Sequence, residues 1–432
     1  SYVDDALLEI GRYYLEVDGD VAKARDAFEQ VTKRFPQSDG APGAYYYLGR
    51  LTLDRAIAPT DFDDAQAQFL RVQRLYPRSE WVPRALYATG IVHRKSGRLA
   101  EAAEAERRVT LEHPSSDAAP AAQFELAQDL ALTGEFRAAM EEFQQVRNRY
   151  PDSEWAPRAL DRITALYRLY GLAKPTFALD ASYSVGVGDT LKDVRAIVMT
   201  SSRTLWVASD KVKSATPFAP DGKMGAGLAG EDLQSLSLAP DGDLLVVAAR
   251  AVRIGPKNLQ TFAIPGSKPG ETEPLEKLEA AALTPGGSVL VSDEKKKKVF
   301  RFDGKYQYLA PFPDVKERQV SRIVLDGEGG IVLLDRDEKT VRVVDEAGKA
   351  LRTIAGRGPG YEFKKPVDLA VDSFRNTYVA DEDAGVLVFS PAGQLLTSIG
   401  PTEVRKARAL TVDPSGAVLV YDEKAQRILR FK

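Results

Sequence analysis

The chain has 432 residues, 44% hydrophobic and 28% charged, with a net charge of −3, so it can hold two domains with sizeable cores and shows no bulk electrostatic demand for a polyanionic partner. It contains no cysteine, which excludes disulfides, thiolate metal sites and cysteine nucleophiles, and only two histidines. No apolar run reaches the roughly 18–20 residues that span a bilayer, and residues 2–15 read directly as a helical pattern without a signal-peptide layout, so any leader or lipid anchor is expected to have been removed.

Residues 1–172 form a helical repeat array. Ala24, Ala65, Ala102 and Ala139 share one register with Val31, Val72, Val109 and Val146, and with Pro36, Pro77, Pro114 and Pro151. Every column steps by 41, 37 and 37 residues, and the longer step marks an insertion near residues 56–63. Phe28, Phe69 and Phe143 form a further column, broken by Glu106. Phe35, Tyr76, His113 and Tyr150 stand before the prolines and are expected to plug the end of each second helix, so His113 reads as structural and His93 as a packing residue. A period near 34–37 residues with a helix-ending proline predicts helix–turn–helix units stacked into a solenoid of four pairs and a capping helix. Each unit opens on a Pro-x-Ser-Asp/Glu junction, whose polar residues are expected to cap the next helix, with Pro83, Pro120 and Pro157 in the first turn.

The stretches Pro77-Arg78-Ser79-Glu80-Trp81-Val82-Pro83 and Pro151-Asp152-Ser153-Glu154-Trp155-Ala156-Pro157 resemble the tetratricopeptide repeats of bacterial envelope proteins, such as BamD-type outer-membrane lipoproteins and the Tol–Pal coordinator family. The resemblance covers about 170 residues and implies a periplasmic or cell-envelope setting, with a cytoplasmic one as the alternative. In such a solenoid the first helix of each unit lines the concave face. Alignment on Gly11, Gly49, Gly90 and Ala127 places Arg12, Tyr46, Arg50, Arg84, Tyr87, Arg94, Gln128, Arg158 and Arg168 there. Arg and Tyr suit a peptide groove, with an acidic or carboxylate-ended peptide as the expected ligand; a solvated face with extended Arg stems is the plainer alternative.

At Lys174-Pro175 the period changes to short strands, and residues 175–432 read as an all-β six-bladed propeller. An Asp ends the second strand of each later unit, at Asp293, Asp335, Asp381 and Asp422, with Ser209 and Ala248 in the earlier ones. Its expected role is to accept turn N–H groups. The last unit holds only three strands, so residues 177–187 are expected to supply the fourth and close the ring. The phrase Val371-Asp372…Tyr378-Val379-Ala380-Asp381…Val388-Phe389…Ala392-Gly393 looks like an NHL repeat.

That resemblance brings enzymes into view. A zinc lyase is excluded because this half has neither His nor Cys. A calcium-dependent hydrolase or lactonase would need carboxylates such as Asp368 or Glu279, or Asn258 and Asn376. RNA-binding NHL propellers use a basic face, and here Lys296, Arg336, Arg357, Tyr361, Lys364, Lys365 and Lys406 fall on one predicted face, diluted by Glu294, Asp337 and Glu382. The residues point to no catalytic, metal or cofactor set. The expectation is a non-enzymatic scaffold of an envelope assembly, secretion or motility machine: the solenoid grips one protein and the propeller face a second, with no nucleic acid and only an indirect tie to a membrane.

Overall fold

The computed structural model describes residues 2–56, 59–183, 185, 192–255, 259–313, 319–327 and 329–432. Contacts divide the chain into two compact units, Ser1–Ile163 and Thr164–Lys432.

The first unit is built from α1 (Tyr2–Tyr13), α2 (Val21–Arg34), α3 (Ala41–Leu53), α4 (Pro59–Leu75), α5 (Val82–Lys95), α6 (Leu99–Glu112), α7 (Ala119–Leu132), α8 (Phe136–Arg149) and the start of α9 (Trp155–Leu166). From α1 to α8 each helix packs on the next, as the repeat requires. Phe28, Phe69 and Phe143 are fully buried. A Cβ on Gly11 would lie 2.4 Å from the Phe28 ring, and one on Gly49 2.6 Å from the Phe69 ring. The small-residue column therefore exists because the rings fill the space that a side chain would need. Tyr76 and Tyr150 tie successive junctions together, their hydroxyls donating to the carbonyls of Pro36 and Pro114 at 2.5 and 3.0 Å.

The junction serines do not cap as expected. Helices α3, α5 and α7 begin after Gly40, Trp81 and Ala118 with no side-chain cap. The N–H groups of Ser38, Ser79, Ser116 and Ser153 instead donate to the carbonyl three residues back, closing a turn that leads into the proline of the next helix.

The second unit holds six blades, whose innermost strands are Val194–Met199, Leu233–Leu238, Leu278–Leu283, Val320–Leu325, Pro366–Val371 and Ala407–Val412. Each neighbours the next around the ring, and the sixth contacts the first. Blades one to five are antiparallel four-stranded meanders, and blade six has three strands from the C-terminal end. Leu179 pairs with Phe431, and the N–H groups of Ala178 and Asp180 donate to the carbonyls of Lys432 and Arg430 at 2.9 and 2.8 Å. Residues 178–180 thus cover the open edge of blade six; residues 184, 186 and 187 of the expected strand lie outside the described residues.

The acidic column does structural work. Asp381 accepts from the N–H groups of Lys364, Lys365, Asp383 and Ala384, and Asp422 from Arg405, Lys406, Lys424 and Ala425, at 2.8–3.3 Å. Each pins a hairpin turn to the connection between blades. The Ser209 hydroxyl substitutes by donating to the Lys192 carbonyl at 2.6 Å.

The expected boundary near residues 172–175 moves upstream. Leu169 is buried with Tyr378, Val404 and Val418. The Tyr170 hydroxyl bonds the Asn376 side chain, and Arg168 donates to the Ser415 carbonyl at 3.1 Å. The end of α9 and the π-turn Tyr167–Gly171 therefore belong with the propeller.

Candidate functional site

The solenoid carries an open groove of about 750 Å³. Its floor is aromatic: Tyr46, Tyr47 and Trp81 pack ring against ring at 5.4–5.5 Å. Of the expected groove residues, Arg12, Tyr46, Arg50 and Arg84 line it. All three arginines already face carboxylates. Arg12 bonds Glu9 at 2.9 Å, Arg50 lies 3.8 Å from Asp54, and Arg84 stacks on Trp81 and bonds Asp117. Seven carboxylates line the cavity against these three arginines: Asp5, Glu9, Glu16, Asp39, Asp54, Glu80 and Asp117. Negative charge is therefore in excess along the groove.

The remaining groove candidates sit elsewhere. Arg94 is mostly buried and bonds Glu106, Glu125 at 2.6 Å and Asp129 at 2.7 Å. Glu106 occupies the column position of the buried phenylalanines, so Arg94 is its counterion and unavailable to a ligand. Burial raises the Glu106 carboxyl well above its ordinary range, Arg94 only partly offsets this, and Asp129 adds to it. Tyr87 packs against the core, and burial raises its pKa. Gln128 is buried. Arg158 stacks on Trp155 and pairs with Glu154, repeating the Arg84–Trp81 arrangement in the last unit. Arg168 lies with the propeller, as described above. His93 faces Gln66 at 3.4 Å, and burial lowers its pKa.

In the propeller every innermost strand carries a β-bulge at its second residue: Arg195, Gln234, Glu279, Ser321, Val367 and Arg408. Bulges re-aim side chains, and six in register set a ring around one mouth of the channel. Arg322, one residue past its bulge, closes that mouth. Its Nε donates to Asp368 at 2.7 Å, and it reaches across the ring to the Arg195 carbonyl at 3.2 Å. Below this plug lies a narrow cavity of about 170 Å³, lined mainly by apolar strand residues such as Ile197, Leu236 and Leu369.

The hydrolase candidates are engaged. Asp368 accepts from Arg322 and from the N–H groups of Leu369 and Leu410, and Glu279 from Arg336 at 3.0 Å and Gln319 at 3.3 Å. Asn376 bonds Tyr170 and Asp372; Asn258 lies outside the described residues.

The predicted basic face surrounds the same mouth, and its charge is largely cancelled. Lys296 pairs with Glu273, Arg336 with Glu279, Lys364 with Glu362, Lys365 with Glu382 and Lys406 with Glu423. Arg357 lies in a two-stranded ribbon with Tyr361, whose ring packs on Phe363 and Phe389 and so is not free to stack on a base. Sequence reasoning missed Arg195, Arg322 and Arg408. Each bulge lies fourteen positions before the residue ending its second strand, so counting back from that residue finds Arg195 and Arg408, and Arg322 follows the bulge at Ser321.

The molecule is thus a tetratricopeptide-type solenoid joined to a six-bladed propeller, with an open groove on one unit and a plugged channel in the other. Residues 6–174 match the family described as YfiO, outer membrane lipoprotein. No curated protein matches the chain. Among solved structures, 59% of the chain is similar to a streptogramin B lyase, at 10% identity over 97% of that chain with a TM-score of 0.42. The same share is similar to an inactive virginiamycin B lyase from Staphylococcus aureus with quinupristin, at 13% identity over 85% of that chain and a TM-score of 0.44. It is also similar to the WD40 propeller of Doa1, at 14% identity over 97% of that chain and a TM-score of 0.43. Among the described residues, no helix is long and apolar enough to cross a membrane.

Proposed function

We propose that this protein is a non-catalytic interaction scaffold of the bacterial cell envelope, holding an extended protein segment in the solenoid groove and a second protein on the bulge-ringed propeller face. The observation that carries the reading is the groove, open and floored by Tyr46, Tyr47 and Trp81, the residue types that anchor protein interfaces. Its seven carboxylates favour a segment bearing Lys or Arg. The family match over residues 6–174 supports the envelope setting. On the propeller, Asp368 is already paired with the Arg322 guanidinium at 2.7 Å, and a divalent cation bound there would be repelled by that charge, which disfavours the calcium-hydrolase alternative.

The test is site-specific photo-cross-linking in the full chain, with the photoreactive residue at Tyr46 in one version and at Lys365 in another, carried out in intact envelopes. Two different envelope proteins, one per position, are expected, and Trp81→Ala should deplete only the Tyr46 adduct. Protein adducts at neither position would overturn the scaffold.

A further inference from the structure

The charges at the bulge-ringed mouth do not balance. Four arginines gather there, and four carboxylates stand beside them. Asp210 holds Arg195 at 2.9 Å, Asp368 holds Arg322 at 2.7 Å and Glu279 holds Arg336 at 3.0 Å. The fourth, Glu423, is held by Lys406. Arg408 is the cation left over: no hydrogen bond or ion pair to it is formed among the described residues. It is a bulge residue, half-buried, on the innermost strand of blade six, between blade five and the ring-closing blade one. Its charged neighbours come from three blades, Arg195 from the first, Arg322 and Arg336 from the fourth and Glu423 from its own. Burial first, and then Arg322, Arg195 and Arg336, lower its pKa, with Glu423 opposing. A guanidinium does not shed its proton at physiological pH, so this excess charge waits for an anion. Arg336 adds a buried Nε with no acceptor among the described residues.

We propose that this mouth receives a single carboxylate presented by a partner polypeptide, bound by Arg408 with Arg195 and Arg336 beside it. The choice of one carboxylate over a polyanion follows from the rim. Lys296, Lys364, Lys365 and Lys406 are each matched by a glutamate, so a phosphodiester chain laid across this face would find uncompensated positive charge only at the centre. The Arg322 plug and the narrow cavity behind it keep the ligand at the surface, which suits an acidic side chain or a chain terminus inserted from a docked protein. The choice of a polypeptide carrier rests on the scaffold reading, which the Tyr46 cross-links test separately through the other unit.

The experiment maps arginine modification by phenylglyoxal in the full chain. It adds an acetylated, amidated glycine-rich peptide with one aspartate, inorganic phosphate, or a single-stranded RNA oligonucleotide. The peptide is expected to protect Arg408 while Arg203, exposed on the turn after the innermost strand of blade one, is labelled as before. Arg408→Gln should keep the wild-type melting temperature and weaken peptide binding about tenfold, the loss expected for one charge-assisted contact. Equal labelling of Arg408 with and without the peptide would overturn the proposal. So would protection by phosphate alone or by RNA alone.

Discussion

The two units each gather a cluster of charges, and the clusters are unbalanced in opposite directions. In the solenoid one arginine, Arg94, meets three carboxylates, Glu106, Glu125 and Asp129. At the propeller mouth four arginines meet three carboxylates that are free to pair with them, the fourth being held by Lys406. An acid-rich cluster can correct itself, because a buried carboxyl takes up a proton. Accordingly burial raises the pKa values of Glu106, Glu125 and Asp129, and the neighbouring Asp129 charge raises that of Glu106 further. An arginine-rich cluster has no such remedy and needs an anion from outside. The first imbalance is therefore a structural matter of stability and pH, and the second an invitation to a ligand.

The largest expected effect breaks the solenoid side. Arg94→Met leaves its carboxylates buried without a cation and should cost about 3–5 kcal/mol of stability, measured by denaturant melts of the helical circular-dichroism signal. A loss well under 1 kcal/mol would mean that bound protons, not Arg94, neutralise the cluster.

Next comes a contrast within the propeller mouth. Arg322→Met strands Asp368 and should cost about 3 kcal/mol, whereas Arg408→Gln strands nothing and should stay within about 0.5 kcal/mol, both read by calorimetry of the full chain. Equal costs for the two would remove the distinction between a paired and an unpaired arginine.

The smallest effect is the pH dependence of Glu106. Its folded pKa is raised above the ordinary 4.5, so the folded state binds the proton more tightly than the unfolded state does. Its contribution to stability is therefore greatest below that ordinary value and is lost as pH rises through the folded pKa. Glu106→Gln removes this loss, and the melting temperature of the variant relative to the parent should climb from pH 5 to pH 8. A flat difference would place the Glu106 pKa outside that window.

Much of the architecture was legible because both units repeat. The Ala, Val and Pro columns gave the helix pairs, and the Asp column gave the blades, since each repeat must solve the same packing problem with similar residues. The groove was half legible. Arg12, Tyr46, Arg50 and Arg84 follow from helix register, but Arg94 sits in the same register and turns inward. The clue was the broken phenylalanine column: a glutamate in a position buried in every other unit demands a buried partner, and Arg94 on the neighbouring helix is that partner. The bulge ring was not legible from residue type, because Arg195, Gln234, Glu279, Ser321, Val367 and Arg408 share no chemistry. Only their fixed spacing from the second strand's end gives them away.

The seam of the propeller sets an order of events. Asp180 and Arg430, which meet across it, stand 250 positions apart, whereas the helix pairs of the first unit close over a few tens of residues. Long-range pairing is slow because the loop it closes is large. During synthesis the solenoid can fold while the ring is still unfinished, and blade six waits for its final strand to emerge. Until then residues 178–180 stand without their partner strand, Arg427–Phe431, which leaves this edge open to a passing chaperone.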